Sequence, residues 1–186
     1  MQERVILVDR QDREIGVAEK LQAHRQGLLH RAFSVFLFNT QNQMLLQQRA
    51  SEKYHSGGLW SNTCCSHPRP GEPTTAAAHR RLREEMGISC HFEKAFDFIY
   101  RAELDNDLIE HEFDHVFIGR YDGSVRPEPS EVMAHRWLGI AALEKELADN
   151  PANFTAWFRI AVPKVLHAVR NNDDGGLTVD THRKPG

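Results

Sequence analysis

The sequence predicts an α/β fold in a single domain, and three observations lead to this prediction. At 186 residues and 21.3 kDa, the chain is long enough to bury one hydrophobic core and short for two. Short β-rich apolar runs bounded by polar turns recur along the chain. Longer segments of helical composition, with recognisable end signals, lie between and after these runs.

Seven strands are predicted from apolar, β-rich runs along the chain. Apolar runs predict one β-hairpin from residues 5–8 and 15–18, and a second from residues 32–38 and 44–46. Further strands are predicted at residues 96–101, 108–120 and 132–137. Between these groups, residues 56–71 contain three glycines and two prolines and cannot form one regular element. A long ordered loop in a compact domain is usually functional.

Helical segments are predicted at residues 19–24, 73–86, 140–149 and 154–170. The segment at residues 73–86 has the clearest ends, because Pro73 lies near its start, Thr74 is available as a cap and Gly87 follows its last residue. Together these elements predict a domain over residues 1–170. The polar, Gly-rich residues 171–186 are expected to form a mobile tail.

The composition restricts the classes of function. Charged residues make up 26% of the chain, hydrophobic residues 40%, and the formal net charge is -3, whereas a nucleic-acid-binding surface is normally basic. No apolar run approaches the roughly 20 residues of a membrane span, and the first residues lack the order of a signal peptide. We therefore expect a cytoplasmic protein that binds neither nucleic acid nor membrane.

The number and spacing of cysteines and histidines restrict the cell compartment and the kind of chemistry. The three cysteines, Cys64, Cys65 and Cys90, are an odd number with two adjacent, which is a poor disulfide framework and fits a reducing compartment. The eleven histidines exceed what a core-filling role requires. Histidine at this frequency indicates metal binding or proton transfer.

A metal site is one interpretation of the imidazoles and carboxylates. Side chains alternate along a strand, so Glu110 and Glu112 project from the same face of residues 108–120. Three histidines lie on or beside predicted loops, and they are His24, His30 and His67. This set suits Zn²⁺, Mn²⁺ or Fe²⁺ better than Mg²⁺, which prefers oxygen ligands. Spacing alone is weak evidence for a metal, and it favours surface or core histidines that are satisfied by ordinary hydrogen bonds.

The segment from Ser66 to Ile88 partly resembles the Nudix box, a pattern of Gly, Glu, Arg-Glu and Glu-Glu at fixed spacing. The matching positions are Ser66, Glu72, Arg80, Arg81, Leu82, Glu84, Glu85, Gly87 and Ile88. In two departures, Ser66 replaces a glycine and Arg81 replaces a glutamate that helps to hold catalytic Mg²⁺ in Nudix hydrolases. A guanidinium at that position can pair with phosphate instead. An ordinary amphipathic surface helix is the alternative interpretation.

A second resemblance is more specific. The run WSNTCCSHP at residues 60–68 resembles the signature of type 1 isopentenyl-diphosphate isomerases, a branch of the Nudix superfamily with a degraded box. The triplet Glu110-His111-Glu112 is similar to the Glu-x-Glu strand of the same family. The resemblance covers residues 5–170. It implies a Nudix-like fold, with a mixed β-sheet sandwiched between helices.

The same resemblance implies an isomerase that interconverts isopentenyl diphosphate and dimethylallyl diphosphate through a tertiary carbocation. It implies that Cys65 and Glu112 are the catalytic acid–base pair, with Tyr100 hydrogen-bonded nearby and Trp157 beside the hydrocarbon. One Mn²⁺ or Zn²⁺ is implied, with the ligands His24, His30, His67, Glu110 and Glu112.

A Mg²⁺ ion that bridges to the substrate diphosphate is also implied, held by Glu85 and the backbone carbonyl of Cys65. The side chains implied to neutralise the diphosphate are Lys20, Arg49, Lys53 and Arg81. The physiological metal, the oligomeric state and the direction in which Cys65 and Glu112 each transfer the proton stay open.

Two alternatives belong to other classes of function. A Nudix pyrophosphatase acting on nucleoside diphosphates needs a glutamate at the position of Arg81. A noncatalytic domain with a structural zinc leaves Cys65 and Glu85 without a purpose, and closed four-ligand zinc sites are more often rich in cysteine.

Overall fold

The computed structural model describes residues 3–174 of the chain. Within this range the strands are β1 (Arg4–Val8), β2 (Glu14–Glu19), β3 (His30–Phe38), β4 (Gln43–Arg49), β5 (Trp60–Ser61), β6 (Cys64–Ser66), β7 (Phe92–Glu103), β8 (Ile109–Arg120) and β9 (Val132–Gly139). The α-helices are α1 (Lys20–Gln26), α2 (Thr74–Met86), α3 (Ile140–Asp149) and α4 (Ala156–Asp174).

The sheet is mixed, and β3 is its central strand. β3 pairs antiparallel with β1, β4 and β6, and parallel with β8 along its whole length. β7 pairs antiparallel with β8, and β9 with β4. The parallel β3–β8 pair therefore joins two outer groups of strands and brings distant parts of the chain side by side.

Helices cover both faces of the sheet because β3 alternates its side chains between two cores. Phe36 and Phe38 pack with residues of α3 and α4, including the fully buried Phe158. Val35 and Leu37 point to the opposite face and pack with residues of α2, including Leu82 and Met86. Burying each such side chain contributes roughly 1.5–3 kcal/mol. The predicted mixed sheet between helices is confirmed.

Most predicted elements form close to their expected bounds, including α3 at residues 140–149. The second hairpin forms only at its turn, where Phe38 pairs with Met44, because β3 and β4 then take different partners. The predicted loop at residues 56–71 contains the short strands β5 and β6. β7 begins at Phe92, earlier than predicted, because its first residues pair with β8 through Gly119.

The ends of two helices correct the sequence prediction. Thr74 is the first residue of α2 and not its cap, because the cap position belongs to Pro73 and no side chain caps the helix. Gly87 ends α2 in the left-handed region, with a φ of 67°, as expected of a glycine at this position. α4 continues past Arg170 to Asp174, and the rest of the predicted tail lies outside the described residues.

Within residues 3–174, no helix combines the length and the apolar character needed to cross a membrane.

Candidate active site

A cleft opens at the end of the sheet where β4, β6, β7 and β8 approach the start of α4. Its walls include all the side chains predicted to be functional except those of His24 and His30. These two histidines are fully buried, and their rings contact the ring of His67, which does line the cleft. The fold thus brings the predicted residues together from eight helices and strands and from the residues that follow β4 and β6.

Four of the five predicted metal ligands converge. His24 lies in α1, His30 begins β3, His67 follows β6 and Glu112 lies in β8, and one ligand atom from each is within 4.8 Å of the others. The parallel register places His30 directly opposite Glu112. The β3–β8 pairing therefore positions two of the four side chains.

The orientation of the imidazole rings suits metal binding. Nδ1 of His24 lies 2.7 Å from the carbonyl of Lys20, and Nδ1 of His30 lies 2.8 Å from the carbonyl of Leu28. A carbonyl can only accept, so each Nδ1 carries the proton and each Nε2 keeps a free lone pair. Nε2 of His24 is buried without a hydrogen-bond partner. Metal-binding histidines are commonly fixed in this way, so these residues fit a divalent ion.

His67 completes the group on the side of the cleft. Its Nε2 lies 2.8 Å from Oε1 of Glu112 and 3.2 Å from Nε2 of His30. Burial lowers the pKa of His67 to about 3, against the opposing effect of Glu112. A neutral ring is the form that ligates a metal, and mixed imidazole and carboxylate ligands favour an ion such as Zn²⁺ or Mn²⁺.

Glu110, the fifth predicted ligand, belongs to an adjoining group. Its carboxylate lies with His24 and His55 in a second set of ligand atoms that are all within 4.8 Å of one another. Oε1 of Glu110 is 3.8 Å from Nε2 of His55, a buried residue. His24 therefore links both sets. Sequence reasoning missed His55, because it stands in a loop segment without periodicity.

The two adjacent cysteines have different surroundings. Cys64 is fully buried in the core against α2, whereas the side chain of Cys65 lines the cleft. Alternation along β6 produces this separation. Burial raises the pKa of the Cys65 thiol, so the thiol is protonated at neutral pH. The distinction between the two cysteines is consistent with the predicted role of Cys65.

The hydroxyl of Tyr100 lies within hydrogen-bond distance of both glutamates of β8. Its Oη lies 2.6 Å from Oε2 of Glu112 and 2.8 Å from Oε2 of Glu110. Burial and the neighbouring Glu112 raise the pKa of Glu110. Burial also opposes ionisation of Glu112, but the neighbouring rings of His30 and His67, whose Nε2 atoms lie 3.5 Å and 2.8 Å from its Oε1, outweigh burial and lower the pKa of that carboxyl. The two neighbouring carboxyl groups therefore differ in their tendency to hold a proton, which is greater for Glu110 than for Glu112.

A carboxylate and several cations form the other end of the cleft. Glu85, near the end of α2, accepts hydrogen bonds from Nη2 of Arg81 at 2.6 Å and from Nε2 of Gln47 at 3.0 Å. Arg81 also contacts Glu131, at 3.3 Å. Gln47 and Glu131 were not predicted. Gln47 is one of three glutamines in β4 and Glu131 is one acidic residue in a loop, so neither produces a sequence pattern.

The three other predicted cations line the same cleft. Lys53 forms an ion pair with Glu131, and Lys20 forms one with Glu3, at 2.7 Å. The guanidinium of Arg49 lies 5.1 Å from the ring centre of Trp157, a cation–π distance. The predicted clustering of the four basic side chains at this cleft is present in the structure.

Trp157 belongs both to the hydrophobic core and to the wall of the cleft. It is only 3% exposed and belongs to the core packed against α3 and α4. Part of its ring also lines the cleft, where His55 meets it edge to face with ring centres 5.8 Å apart. The aromatic wall is therefore held rigidly by the core behind it.

The mixed sheet between α2 and the α3–α4 pair, with its cleft beside α2, defines a Nudix protein. The NUDIX domain model matches residues 28–158. A crystal structure from Deinococcus radiodurans shares this fold with a TM-score of 0.67 and 21% identity, covering 80% of this chain and 90% of that one.

Similarity to particular proteins is closer. The Isopentenyl-diphosphate Delta-isomerase of Burkholderia multivorans is 54% identical over 171 residues, covering 90% of this chain and 97% of that protein. Isopentenyl-diphosphate Delta-isomerase 1 of Aromatoleum aromaticum is 53% identical over 173 residues, covering 93% and 97%. The chain belongs to the isopentenyl-diphosphate Delta-isomerase family, and the resemblance seen in residues 60–68 and 110–112 is confirmed.

Proposed function

We propose that this protein interconverts isopentenyl diphosphate and dimethylallyl diphosphate, the reaction that supplies precursors for isoprenoid synthesis. The observation that carries the proposal is the placement of Cys65 and Glu112 in one cleft, on different strands, with cationic side chains at its other end. A thiol and a carboxylate can then reach a small hydrocarbon from two sides. The cations hold its diphosphate.

The reaction requires one proton to be added and another removed. In either direction, the π electrons of the alkene take a proton from one of the two groups and form a C–H bond, which leaves a tertiary carbocation. The other group then removes a proton from the neighbouring carbon, and the electrons of that C–H bond form the new double bond. Burial raises the pKa of the Cys65 thiol, and the neighbouring histidines lower that of Glu112, which supports a thiol as proton donor and a carboxylate as proton acceptor.

Two aromatic residues serve the cationic intermediate. The face of Trp157 can stabilise a cation through its π electrons. Tyr100 fixes the orientation of Glu112 by its 2.6 Å hydrogen bond. Both side chains are buried to more than nine-tenths, and a buried site limits capture of the carbocation by water.

Metal ions complete the proposed site. His24, His30, His67, Glu110 and Glu112 would hold one Mn²⁺ or Zn²⁺, whose charge would favour the ionised form of Glu112. Glu85 and the backbone carbonyl of Cys65 would hold Mg²⁺ with the diphosphate. Lys20, Arg49, Lys53 and Arg81 would neutralise the remaining phosphate charge. Arg81 occupies a position where Nudix hydrolases use a metal-binding glutamate, which argues against pyrophosphate hydrolysis.

Isopentenyl diphosphate incubated with the full-length protein in D₂O tests the proposal. We expect NMR to show dimethylallyl diphosphate containing deuterium, and no release of phosphate. A strong chelator should stop the exchange, and added Mn²⁺ or Zn²⁺ with Mg²⁺ should restore it. Phosphate release without isomerisation would show that the protein is a hydrolase, and deuterium exchange that survives complete metal removal would contradict the proposed metal requirement.

A further inference from the structure

Glu131 is a carboxylate at the cationic end of the cleft without a part in the proposed reaction. It directly precedes β9, and its side chain is 24% exposed. Its backbone is fixed independently of the carboxylate, because its carbonyl accepts a 3.0 Å hydrogen bond from Ala50 and its N–H donates a 2.9 Å hydrogen bond to Glu128. The loop therefore holds a negative charge at a set place.

The carboxylate of Glu131 forms ion pairs with two of the cations proposed to bind the diphosphate. Glu131 pairs with Lys53, and its Oε1 is 3.3 Å from Nη2 of Arg81. Glu85 contacts the same guanidinium nitrogen, at 2.6 Å. A diphosphate entering this end of the cleft therefore meets cations that are already neutralised, together with two carboxylates that repel it.

Mg²⁺ changes this balance of charges. A diphosphate without metal must displace Glu131 from Lys53 and Arg81 and must also overcome the repulsion of both carboxylates. A diphosphate that carries Mg²⁺ has less negative charge, and its ion is attracted by Glu85. The penalty from Glu131 is thus largest for the metal-free anion.

We propose that Glu131 is a specificity-determining residue that makes this site select Mg²⁺-complexed diphosphate over free diphosphate and other uncomplexed anions. This inference rests on the proposed function, because it assumes that the cations bind the diphosphate of the substrate. The carboxylate acts as a competing internal anion. Only a ligand that brings its own divalent cation avoids the competition.

The two neighbouring acidic residues, Glu84 and Glu85, cannot have the role proposed for Glu131. Glu84 also contacts Arg81, at 2.8 Å, but its side chain is 40% exposed, so water screens its charge more strongly. Glu85 is the proposed Mg²⁺ ligand, and its loss would remove attraction and repulsion together. Glu131 is the acidic residue whose charge can be removed while the proposed metal ligand stays.

Calorimetric titration with inorganic pyrophosphate tests the inference on the full-length protein, in buffer with Mg²⁺ and in buffer freed of Mg²⁺ without added chelator. Glu131→Gln keeps the shape and removes the charge, and we expect it to bind metal-free pyrophosphate about tenfold more tightly than the parent. Its affinity for the Mg²⁺ complex should change by less than about threefold. The preference for the complex should therefore fall.

Two variants serve as controls. Glu131→Asp keeps the charge and should keep the preference, and Glu128→Gln removes an exposed charge from the same loop and should also keep it. An unchanged preference in Glu131→Gln overturns the inference. So does weaker binding of the Mg²⁺ complex without a gain for free pyrophosphate, because Glu131 would then be a metal ligand.

The proposed function and this inference can fail separately. If the parent protein does not isomerise isopentenyl diphosphate but the pyrophosphate preference falls in Glu131→Gln, the reaction is wrong and the charge selection stands. If isomerisation proceeds and the preference is the same in both proteins, the role of Glu131 is wrong and the reaction stands.

Discussion

Tyr100 and Glu112 lie directly opposite each other in the antiparallel β7–β8 pair, and Oη of Tyr100 donates a 2.6 Å hydrogen bond to Oε2 of Glu112. The other oxygen of Glu112, Oε1, faces Nε2 of His67 at 2.8 Å. Each oxygen of this carboxylate therefore has a separate partner, one phenolic and one from the proposed metal site.

Replacing Tyr100 with phenylalanine should lower kcat by about tenfold to hundredfold. A hydrogen bond to a charged group contributes about 1.5–3 kcal/mol, and each 1.36 kcal/mol in a barrier changes a rate about tenfold. Steady-state kinetics should show a KM near that of the parent, because the hydroxyl lies away from the cations. Tyr121→Phe removes a hydroxyl that bonds the carbonyl of Ser124 far from the cleft, and an equal loss there would contradict this interpretation.

Loss of the Cys65 thiol should nearly abolish isomerisation while substrate and metal still bind. General acid–base groups contribute about 10²- to 10⁴-fold to a rate, and we expect losses in this range for both Cys65→Ala and Cys65→Ser. Cys64→Ala is the matched control, because Cys64 packs in the core against α2. It should keep substantial activity, and equal losses at the two positions would mean that the packing of β6, and not the thiol, is required.

His67→Ala should lower both the metal content and the turnover of the protein. Loss of an outer-shell partner already costs about 10- to 100-fold in metal affinity, so loss of a ligand should cost at least as much. Elemental analysis after dialysis measures this directly. His111→Ala is a suitable comparison, because His111 lies between the two glutamates but bonds the carbonyl of Gly27 on the opposite face. Normal metal content in His67→Ala would refute the assignment.

The stability of the fold should fall as the pH drops below about 6.5, in part through His115. Burial, followed by the charge of Lys94, lowers the pKa of this ring despite its 2.9 Å contact with Asp12. Below the unfolded-state pKa of about 6.5, the unfolded chain therefore binds more protons than the folded one, and stability rises with pH. The contribution of His115 is complete above that pKa and is lost as the pH falls toward the folded-state pKa.

Chemical denaturation at about pH 7.5 and about pH 5.5 can measure this contribution. The free energy of unfolding should drop less between these two values in His115→Gln than in the parent. His91→Gln, at a side chain that is 83% exposed, should lose as much as the parent. An identical drop in the free energy of unfolding of His115→Gln would show that His115 does not contribute to the pH dependence of stability.

Local patterns were sufficient to predict much of the fold. The ends of α2 follow from Pro73 and Gly87, and alternation along residues 108–120 places Glu110 and Glu112 on one face. The parallel pairing of β3 with β8 could not be predicted in this way, because the choice of a strand partner depends on long-range packing. The proximity of His30 to Glu112 follows from that pairing, and only the family resemblance predicted it.

The parts of the site that sequence reasoning missed share a physical cause. His55 and Glu131 stand in loops, and Gln47 is a single buried amide in β4. Their positions are determined by the tertiary fold, and no periodic pattern identifies them. Alternation did predict the face on which Glu110 lies, but its grouping with His55 depends on how residues 50–58 return to the sheet.

The long-range pairing of β3 with β8 also sets the order in which this site can be made. Contacts between segments far apart in sequence form slowly, because the intervening chain must first be closed into a loop. A growing chain that has not yet reached Ile109 contains all three histidines of the proposed metal site but neither Glu110 nor Glu112. During synthesis, the capacity to hold an ion in this pocket should therefore appear abruptly and late, when Glu112 reaches the strand that begins with His30.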